Sequence, residues 1–569
     1  MKKLLRKIKR KWNRDKADLR WLILQGKGIK RYVLGFLAIS FVAMAFSLAS
    51  PIASKYVVDA VTGEKHEFRM EFVALMLGTS VFSIVLSAVS TIFSSYVNEK
   101  FAFSVRARMF DRTQRGFWDK ITAYHSGDMM ARLNGDVEVI ASNLISILPS
   151  LIVTSLQLVI ILIIVLRTDP MLAVIGLIAG PVGLIVSWVF KKPFQKYQLL
   201  LRESQSEYYT FFQENLSNIG VVKSFQTEDR NNQRFKEICD RRLKMVVKSA
   251  RIRAAMTAST RLVYGVAYVV AFAWCAHQLQ TNPLYTYGTM TLFLSLVTQL
   301  QSAVSGLGGI IPQAFTTVVS ARRVREITEL GEELGDPTGH VPDRVGVRLE
   351  HVSFTYDDET VLKDISFEIP PLSHVGIIGS SGAGKTTLIR MLLALILPDS
   401  GTVQYLPEGG EPELASPHTR RLLTYVPQGN TLMTGTVRSN LLTGDPDADE
   451  LKMWWALDLA DAAEFVKSDP KELDMPITER SGGISAGQAQ RIGIARALMR
   501  DKPVIIFDEA TSALDEATER RIFERLIACS QKTCFIITHR STMLRYCDMV
   551  LEVNDDGHII CREQKGQPE

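Results

Sequence analysis

Val375, Gly376, Ile377, Ile378, Gly379, Ser380, Ser381, Gly382, Ala383, Gly384, Lys385, Thr386, Thr387 and Leu388 form an apolar run, a glycine-rich turn closed by Gly-Lys-Thr, and the start of a second apolar run to Leu397. Two glycines with four residues between them, and the lysine and threonine following, give the spacing of a phosphate-binding loop set between a strand and a helix. The chemistry needs these residue types. Glycines let backbone N–H groups turn toward an anion, the helix that follows presents its positive end, and Lys385 adds a point charge for the outer phosphates. The Thr386 hydroxyl suits Mg²⁺.

Further along, Val504, Ile505, Ile506 and Phe507 lead into Asp508 and Glu509. Such a run predicts a strand with two carboxylates at its end. Phosphoryl transfer to water needs a metal ion to neutralise the β and γ oxygens and a group to polarise the attacking water. Asp508 suits the first role and Glu509 the second. The two stretches together read as a nucleotide triphosphate machine.

Upstream, apolar residues gather in six long runs, Tyr32–Ile52, Phe72–Phe93, Leu144–Leu166, Met171–Phe190, Leu262–Leu279 and Met290–Ile311. Each is close to the ~20 residues that span a bilayer as a helix. Serine, alanine and glycine are frequent in the first, second and last, which suits close helix packing or a polar cavity. The first 31 residues hold 13 basic and 2 acidic side chains, and Lys191–Arg253 holds 14 basic ones. The short connections near Lys65, Arg167 and Asn282 hold few, so both ends are expected in the cytoplasm. A membrane-surface elbow helix with Leu19, Trp21, Leu22, Ile23 and Leu24 explains the basic N-terminus better than a nucleic-acid-binding arm. No signal-cleavage pattern is expected, and the 31 residues ahead of the first span are too few for a peptidase domain. The six cysteines, at 239, 275, 529, 534, 547 and 561, form no CxxC pair, so free thiols are expected rather than a metal site.

Ser94–Asn143 and Lys191–Arg261 are long connections with helical patterning, so span helices are expected to extend well beyond the bilayer. The boundaries that follow are an elbow at 1–31, a six-helix membrane domain at 32–320, a linker at 321–346 and a nucleotide-binding domain at 347–569. In the last, β-like runs at Val347–Phe354, Val375–Ile378, Leu423–Val426, Val504–Phe507 and Thr533–Ile537 alternate with helical stretches, the pattern of an α/β fold.

Further residues carry a family resemblance. Ile484, Ser485, Ala486, Gly487 and Gln488 precede the Asp508–Glu509 strand, followed by Gln490 and Arg491. Ser512, Ala513, Leu514 and Asp515 come after it. Tyr425, Val426, Pro427 and Gln428 lie between the two motifs, and Ile537, Thr538, His539 and Arg540 lie beyond them. In this order the whole chain resembles an ATP-binding cassette exporter, a half-transporter with its membrane domain fused ahead of the nucleotide domain.

The resemblance implies a six-span α-helical transmembrane domain with long cytoplasmic helical extensions, followed by an α/β P-loop ATPase. It implies Tyr356 stacked on adenine and Gly379, Ser380, Ser381, Gly382, Ala383, Gly384, Lys385, Thr386 and Thr387 around the phosphates. Thr386, Gln428 and Asp508 would hold Mg²⁺, with Glu509, His539 and Gln428 catalytic. Ser485, Gly487, Gln488 and Asp515 would complete a site shared with a second subunit. Glu479 and Arg480, ahead of Ser481, Gly482 and Gly483, resemble a cross-linking loop. Tyr124, His125, Ser126, Gly127 and Asp128, with Arg132, Leu133 and Asp136, resemble a first coupling region. Phe211 to Leu216 with Val222 to Phe225 resemble a second.

The chain departs from the pattern at Ala486, where the family has glycine, and at Ile484, where it has leucine. Intact Glu509 and His539 favour a homodimer, while the altered signature keeps a heterodimeric half as the alternative. The expected activity is ATP-driven export of an amphipathic small molecule, peptide or lipid across a bacterial plasma membrane, against an ATP-gated channel or regulator on the same fold. No nucleic-acid partner is expected. Tyr264, Tyr268, Trp274, Gln299, Gln301, Gln313 and Arg261 are candidate cavity side chains, although amides on packed helices serve as interhelical contacts at least as often.

Overall fold

The structure, a computed structural model of the chain, describes residues 17–25, 27–62, 70–283, 285–333, 339–356, 359–429, 431–478, 483–529, 531–538 and 540–564. His539, Glu479, Arg480, Ser481 and Gly482 therefore lie outside the described residues. The chain divides into two compact units. One is drawn from Met1–Asp111 and Ser126–Glu329, the other from Arg112–His125 and Leu330–Glu569.

Helices make up the first unit: α1 over residues 17–25, α2 (Lys30–Thr62), α3 (Met70–Arg115, whose last turn belongs to the second unit), a short α4 (Trp118–Thr122, also in the second unit), α5 (Ser126–Ala131), α6 (Val137–Thr168), α7 (Pro170–Ser217), a short α8 (Ile219–Ser224), α9 (Glu228–Thr281) and α10 (Tyr287–Thr328). Six stretches among the described residues are helical, long and apolar enough to cross a membrane. Each contains most or all of one expected run, and α3, α7 and α9 continue for tens of residues past theirs. Residues 321–328, expected in the linker, continue α10.

Polar groups in this unit are largely paired with one another. Asp59 accepts from the Gly288 N–H at 2.8 Å, where α10 begins so close to α2 that a Cβ on Gly288 would lie 2.2 Å from the Lys55 carbonyl oxygen. Asp169, the one residue between α6 and α7, caps α7 by accepting from the Met171 N–H and also accepts from Trp274 Nε1 at 2.9 Å. Gln157 donates to Gln299, and Gln301 Nε2 donates to the Tyr264 carbonyl. Trp274, Gln299, Gln301 and Tyr264 thus serve as interhelical contacts.

Ionic pairs hold the ends of these helices. Asp18 of α1 is fully buried and lies 2.9 Å from Arg322 and 3.0 Å from Arg325 of α10. Arg132 pairs with Asp128 at 2.9 Å and Glu326 at 2.8 Å, and Arg323 with Asp128 at 2.6 Å and Asp136 at 2.9 Å. These charges join α5, α10 and the π-helical turn Arg132–Asp136 that leads into α6.

The second unit is built on two larger sheets. An antiparallel sheet has the order β2 (Glu359–Ile369), β1 (Val345–Tyr356), β4 (Ser400–Pro407), β5 (Glu413–Leu414). The other runs β12 (Ile559–Glu563), β11 (Met549–Val553), β3 (His374–Gly379), β10 (Thr533–Ile537), β9 (Val504–Asp508), β6 (Leu423–Val426), parallel throughout except for β12. Strands β9 and β10 are buried at every position, as near-continuous Val, Ile and Phe runs require of a sheet covered on both faces. Helix α11 (Lys385–Leu392) joins the core shared by β1, β2, β3 and β4. A second core gathers α12 (Val437–Leu442), α13 (Glu450–Leu459), α14 (Ala463–Ser468), α15 (Ala486–Met499) and α16 (Glu516–Cys529), beside the short pair β7 (Gly435–Thr436) and β8 (Pro476–Ile477). A last short helix, α17 (Ser541–Leu544), follows β10.

The segment Arg112–His125 packs within this unit. The Trp118 N–H donates to Glu333 Oε1 at 2.9 Å, the Glu333 N–H donates to the Arg115 carbonyl at 2.7 Å, and Arg112 pairs with Glu332 at 2.5 Å. Glu333 also pairs with Arg420, whose Nε donates to the Leu393 carbonyl at 2.9 Å. Of the stretch expected to form the first coupling region, only Tyr124 and His125 fall in this unit; the helix that docks here is α4, just ahead of them. Sequence periodicity could not show this, because α4 is held by one carboxylate more than two hundred residues away. Glu333→Ala removes that carboxylate and leaves the half-buried Arg420 uncompensated, so it should cost about 2–3 kcal/mol. Thermal unfolding of the purified chain should show a lowered midpoint, whereas Glu332→Ala, which loses a more exposed pair, should move it far less.

A nucleotide site at the strand ends

The phosphate-loop residues follow directly on β3. Gly379 has φ +152°, and a Cβ there would lie 2.4 Å from the carbonyl oxygen of Val553, its partner on the adjacent parallel strand β11, so the close pairing at the end of β3 excludes any side chain. Ser380, Ser381 and Gly382 form an exposed turn, Ala383 is buried, and Gly384 caps α11 in a left-handed conformation. Ser380 donates to Asp555 of the β11–β12 turn. Lys385 is only 7% exposed, and its ammonium donates to the carbonyls of Gly379 at 2.6 Å and Ser380 at 2.9 Å. The lysine is thus held over the loop where an anion would settle. Thr386 is exposed at the first turn of α11, while Thr387 is buried.

Asp508 ends β9 at 5% exposure. Burial pushes its carboxyl above the usual range; the Tyr425 hydroxyl, donating at 2.9 Å, and the Arg390 and Lys385 charges pull it back, while the Glu509 charge adds to the rise. Glu509 has φ +47°, a left-handed conformation that costs a side-chain-bearing residue of order 1–3 kcal/mol and tends to mark functional positions. Gln428, two residues past β6, donates from Nε2 to Glu509 Oε2 at 2.5 Å. Lys385, Asp508, Glu509 and Gln428 therefore meet beyond the carboxyl ends of β3, β9 and β6, where open parallel sheets bind ligands.

Tyr356 is exposed at the end of β1, its ring edge-on to Phe354 with centroids 4.8 Å apart. Its hydroxyl accepts from Arg390 at 3.2 Å, and the same guanidinium lies 4.9 Å from the Trp118 ring centroid. Arg390 thereby connects the expected adenine platform to the docked segment at α4. Spacing gives no hint of that link.

The signature residues begin α15. Ser485 is its N-cap, accepting from the Gln488 N–H at 3.1 Å while Gln488 Oε1 accepts from the Ser485 N–H at 2.8 Å, a reciprocal capping box. Ala486 is exposed at the first helical position, so its methyl disturbs nothing in its own subunit. Gly487 sits against the next loop, where a Cβ would lie 3.2 Å from the Ala513 carbonyl oxygen. Asp515 caps α16 through the Thr518 N–H at 2.9 Å, and that bond holds its carboxyl below the usual range.

Two further connections escaped the sequence. The buried Gln490 donates to Ser512 Oγ at 3.1 Å and accepts from the Ala513 N–H at 3.0 Å. Glu519, 1% exposed, accepts from Thr511 at 2.5 Å and from Arg540 at 2.6 Å, and Arg540 also donates to the Leu514 carbonyl at 2.9 Å. Residues 485–490, 511–515 and 540 thus form one bonded block. An S/T-x-x-Q box is legible in sequence; a buried Glu–Arg pair 21 residues apart is not.

Comparison with known proteins agrees with these features. The family model for the ABC transporter transmembrane region matches residues 33–304, and that described as ABC transporter matches 362–512. Over 546 residues the chain is 26% identical to a multidrug resistance ABC transporter ATP-binding and permease protein of Lactococcus lactis, covering 94% of this chain and 91% of the relative. Over 542 residues it is 27% identical to an ATP-dependent lipid A-core flippase of Chromohalobacter salexigens, covering 94% and 93%. The solved structure of a bacterial Atm1-family ABC exporter with ATP bound has the same fold, with a TM-score of 0.78, 24% identity and coverage of 93% of this chain and 94% of that one. A membrane region fused to an ATP-binding domain defines an ATPase coupled to transport. The chain belongs to the ATP-binding cassette exporters, as a half-transporter.

Tyr425→Phe deletes one charge-assisted hydrogen bond to Asp508 and keeps the ring, so the maximal rate of ATP hydrolysis should fall about tenfold. The unfolding midpoint should stay within a degree or two; a parallel loss of stability would mean that the hydroxyl serves the core instead.

Proposed function

We propose that two copies of this chain form an exporter that moves an amphipathic small molecule, peptide or lipid across a bacterial inner membrane by alternating access, with the ATPase domains in the cytoplasm. The observation that carries the catalytic part is the meeting of Gln428, Glu509 and Asp508 beside Lys385 at the strand ends. Glu509 polarises the attacking water, with Gln428 and His539 beside the γ-phosphate. The Gly379–Thr387 loop cradles the phosphates and Tyr356 takes the adenine.

The oxygen donors of Thr386, Asp508 and Gln428 fit Mg²⁺, a hard cation that prefers carboxylate, hydroxyl and amide oxygens. Tyr425 engages Asp508 Oδ2, which supports a carboxylate held in one orientation for the ion. Mg²⁺ when bound neutralises charge on the β and γ oxygens.

Ser485 and Gly487 at the N-terminus of α15, with Gln488 and Asp515 shaping the same surface, close over the partner copy's nucleotide in this reading. ATP then joins the domains and hydrolysis releases them. The exposed methyl of Ala486 is the feature that keeps a heterodimer as the second reading, because it adds bulk on the surface that would meet the partner-bound phosphate.

The purified chain alone should hydrolyse ATP, and Glu509→Gln should lower the rate at least about 100-fold with ATP binding retained. Inactivity of the wild-type chain without a second half-transporter would overturn the homodimer. Vanadate-sensitive, ATP-dependent uptake of an amphiphile into inside-out vesicles tests export, and passive flux down a gradient would favour a channel.

A further inference from the structure

Tyr356, at the end of β1, is 39% exposed, and two interactions with described residues orient its ring. Phe354 meets it edge-on, and Arg390 Nη1 donates to its hydroxyl at 3.2 Å. An exposed tyrosine touched at one edge keeps its freedom to change rotamer, so the bond at the hydroxyl is the constraint that selects one orientation.

The guanidinium that supplies this bond is braced by the docked segment. Its central carbon lies 4.9 Å from the Trp118 ring centroid. A planar cation can rest on an indole while an N–H at its edge donates elsewhere. Trp118 is fixed in turn, because its N–H donates to Glu333 Oε1 at 2.9 Å and its ring packs against the core of β1, β2, β3 and β4. Behind its side chain, Arg390 belongs to α11, where its carbonyl accepts from the Leu395 N–H at 2.8 Å.

Attachment of the segment does not require this contact. Arg112 with Glu332 and Arg420 with Glu333 supply the ionic attachment, whereas no carboxylate among the described residues lies within ion-pair distance of Arg390. Direct packing does not orient Tyr356 either. A cavity of about 460 Å³ is lined both by Phe117, Asp119 and Lys120 of the docked segment and by Phe354 and Tyr356. Space remains where a filled core would have pressed α4 against the ring.

Two accounts of Arg390 compete. Its charge is felt at Asp508, so one account makes it a plain cation for the phosphate end of the site. A plain cation needs no aromatic partners. One guanidinium set between an indole and a phenol hydroxyl is instead a geometric device, and the hydroxyl belongs to the ring expected to take the adenine.

We propose that Arg390 is a positioning residue for the nucleotide: braced on Trp118, it holds the Tyr356 ring in the orientation that stacks on the base, so recognition of the base depends on the docked segment. The proposal rests on the reading of Tyr356 as the adenine platform. A base binds more tightly to a ring already in place, because no side-chain freedom is then lost on binding. The triphosphate gains nothing from that ring, so the effect is confined to the base.

The test uses the full chain in phosphatidylcholine nanodiscs, with Glu509→Gln in every variant to stop turnover, titrated calorimetrically with MgATP and with magnesium tripolyphosphate. Arg390→Met, Tyr356→Phe and Trp118→Ala should each weaken MgATP binding about three- to tenfold, as expected for freeing one side chain, with tripolyphosphate affinity unchanged to within about twofold. Trp118→Phe keeps an aromatic face and should stay near the parent protein. Double variants among the three should bind no more weakly than the single ones, since all break the same chain of contacts. An unchanged thermal midpoint excludes a general loss of fold, and Tyr356→Phe, altered at an exposed residue, keeps the test decisive if Arg390→Met does not fold.

Equal weakening of MgATP and tripolyphosphate by Arg390→Met would make the residue a phosphate cation and overturn the proposal. Additive losses in the double variants, or parent-like affinity in both Arg390→Met and Tyr356→Phe, would overturn it too. Tyr356→Ala separates this failure from failure of the platform reading. A loss of MgATP affinity of about tenfold or more in Tyr356→Ala, with Tyr356→Phe and Arg390→Met unaffected, leaves the platform standing and removes only the role of Arg390. Parent-like MgATP affinity in Tyr356→Ala overturns both.

Discussion

Parallel hydrogen bonding of β9 to β10 on one side and β6 on the other is the constraint on which the proposed catalytic site rests. Ile537 lies opposite Asp508 and Val426 opposite Phe507, so these strands end almost level with one another. The chain must turn there from each strand, and the polar groups freed by the end of the ladder have no sheet partner. Anions, metal ions and water are what such an edge can hold. Strain collects at the same edge, in the left-handed backbone of Glu509 and in the close pairing with Val553 that forbids a side chain on Gly379. Neither could persist without the buried strands behind it, which supply the packing that holds each loop in place.

From that edge the constraint passes outward through hydrogen bonds rather than packing. Gln490 ties α15 to residues 512–513, and the buried Glu519 ties residue 511 to Arg540, so loops far apart in sequence keep fixed relative positions. A carboxylate with 1% exposure is tolerable only because both oxygens are engaged. Arg390 does similar work on the other flank, between the Tyr356 hydroxyl and the Trp118 ring. In consequence the segment Arg112–His125 and the expected nucleotide platform share one guanidinium, and a shift at either end must be felt by the other.

How much of this was legible beforehand follows from the range of the forces involved. The six apolar runs, β3, β6, β9 and β10, and the loop from Gly379 to Thr387 are local patterns, and their reading agrees with the helices and strands observed. Strand β2 went unassigned because its outward positions carry charge, as in the half-exposed Glu359–Ile369, and β4, a short Ser, Gly, Thr and Gln-bearing run, shows no clean apolar alternation. Tyr425 was visible only as a neighbour of Gln428, since its value lies in a bond to a carboxylate 83 residues away. Gln488 and Asp515, expected to face a nucleotide, also cap helices in their own subunit. Local geometry alone would have accounted for both residue types.

The first unit poses the complementary question of which polar groups in a mostly apolar assembly are there for structure. Asp18, ion-paired with Arg322 and Arg325, and Asp128, held between Arg132 and Arg323, engage groups on neighbouring elements, so they report how the helices are joined. Asp169 and Trp274 satisfy each other in the same way. Partnered charge thus marks architecture in this unit.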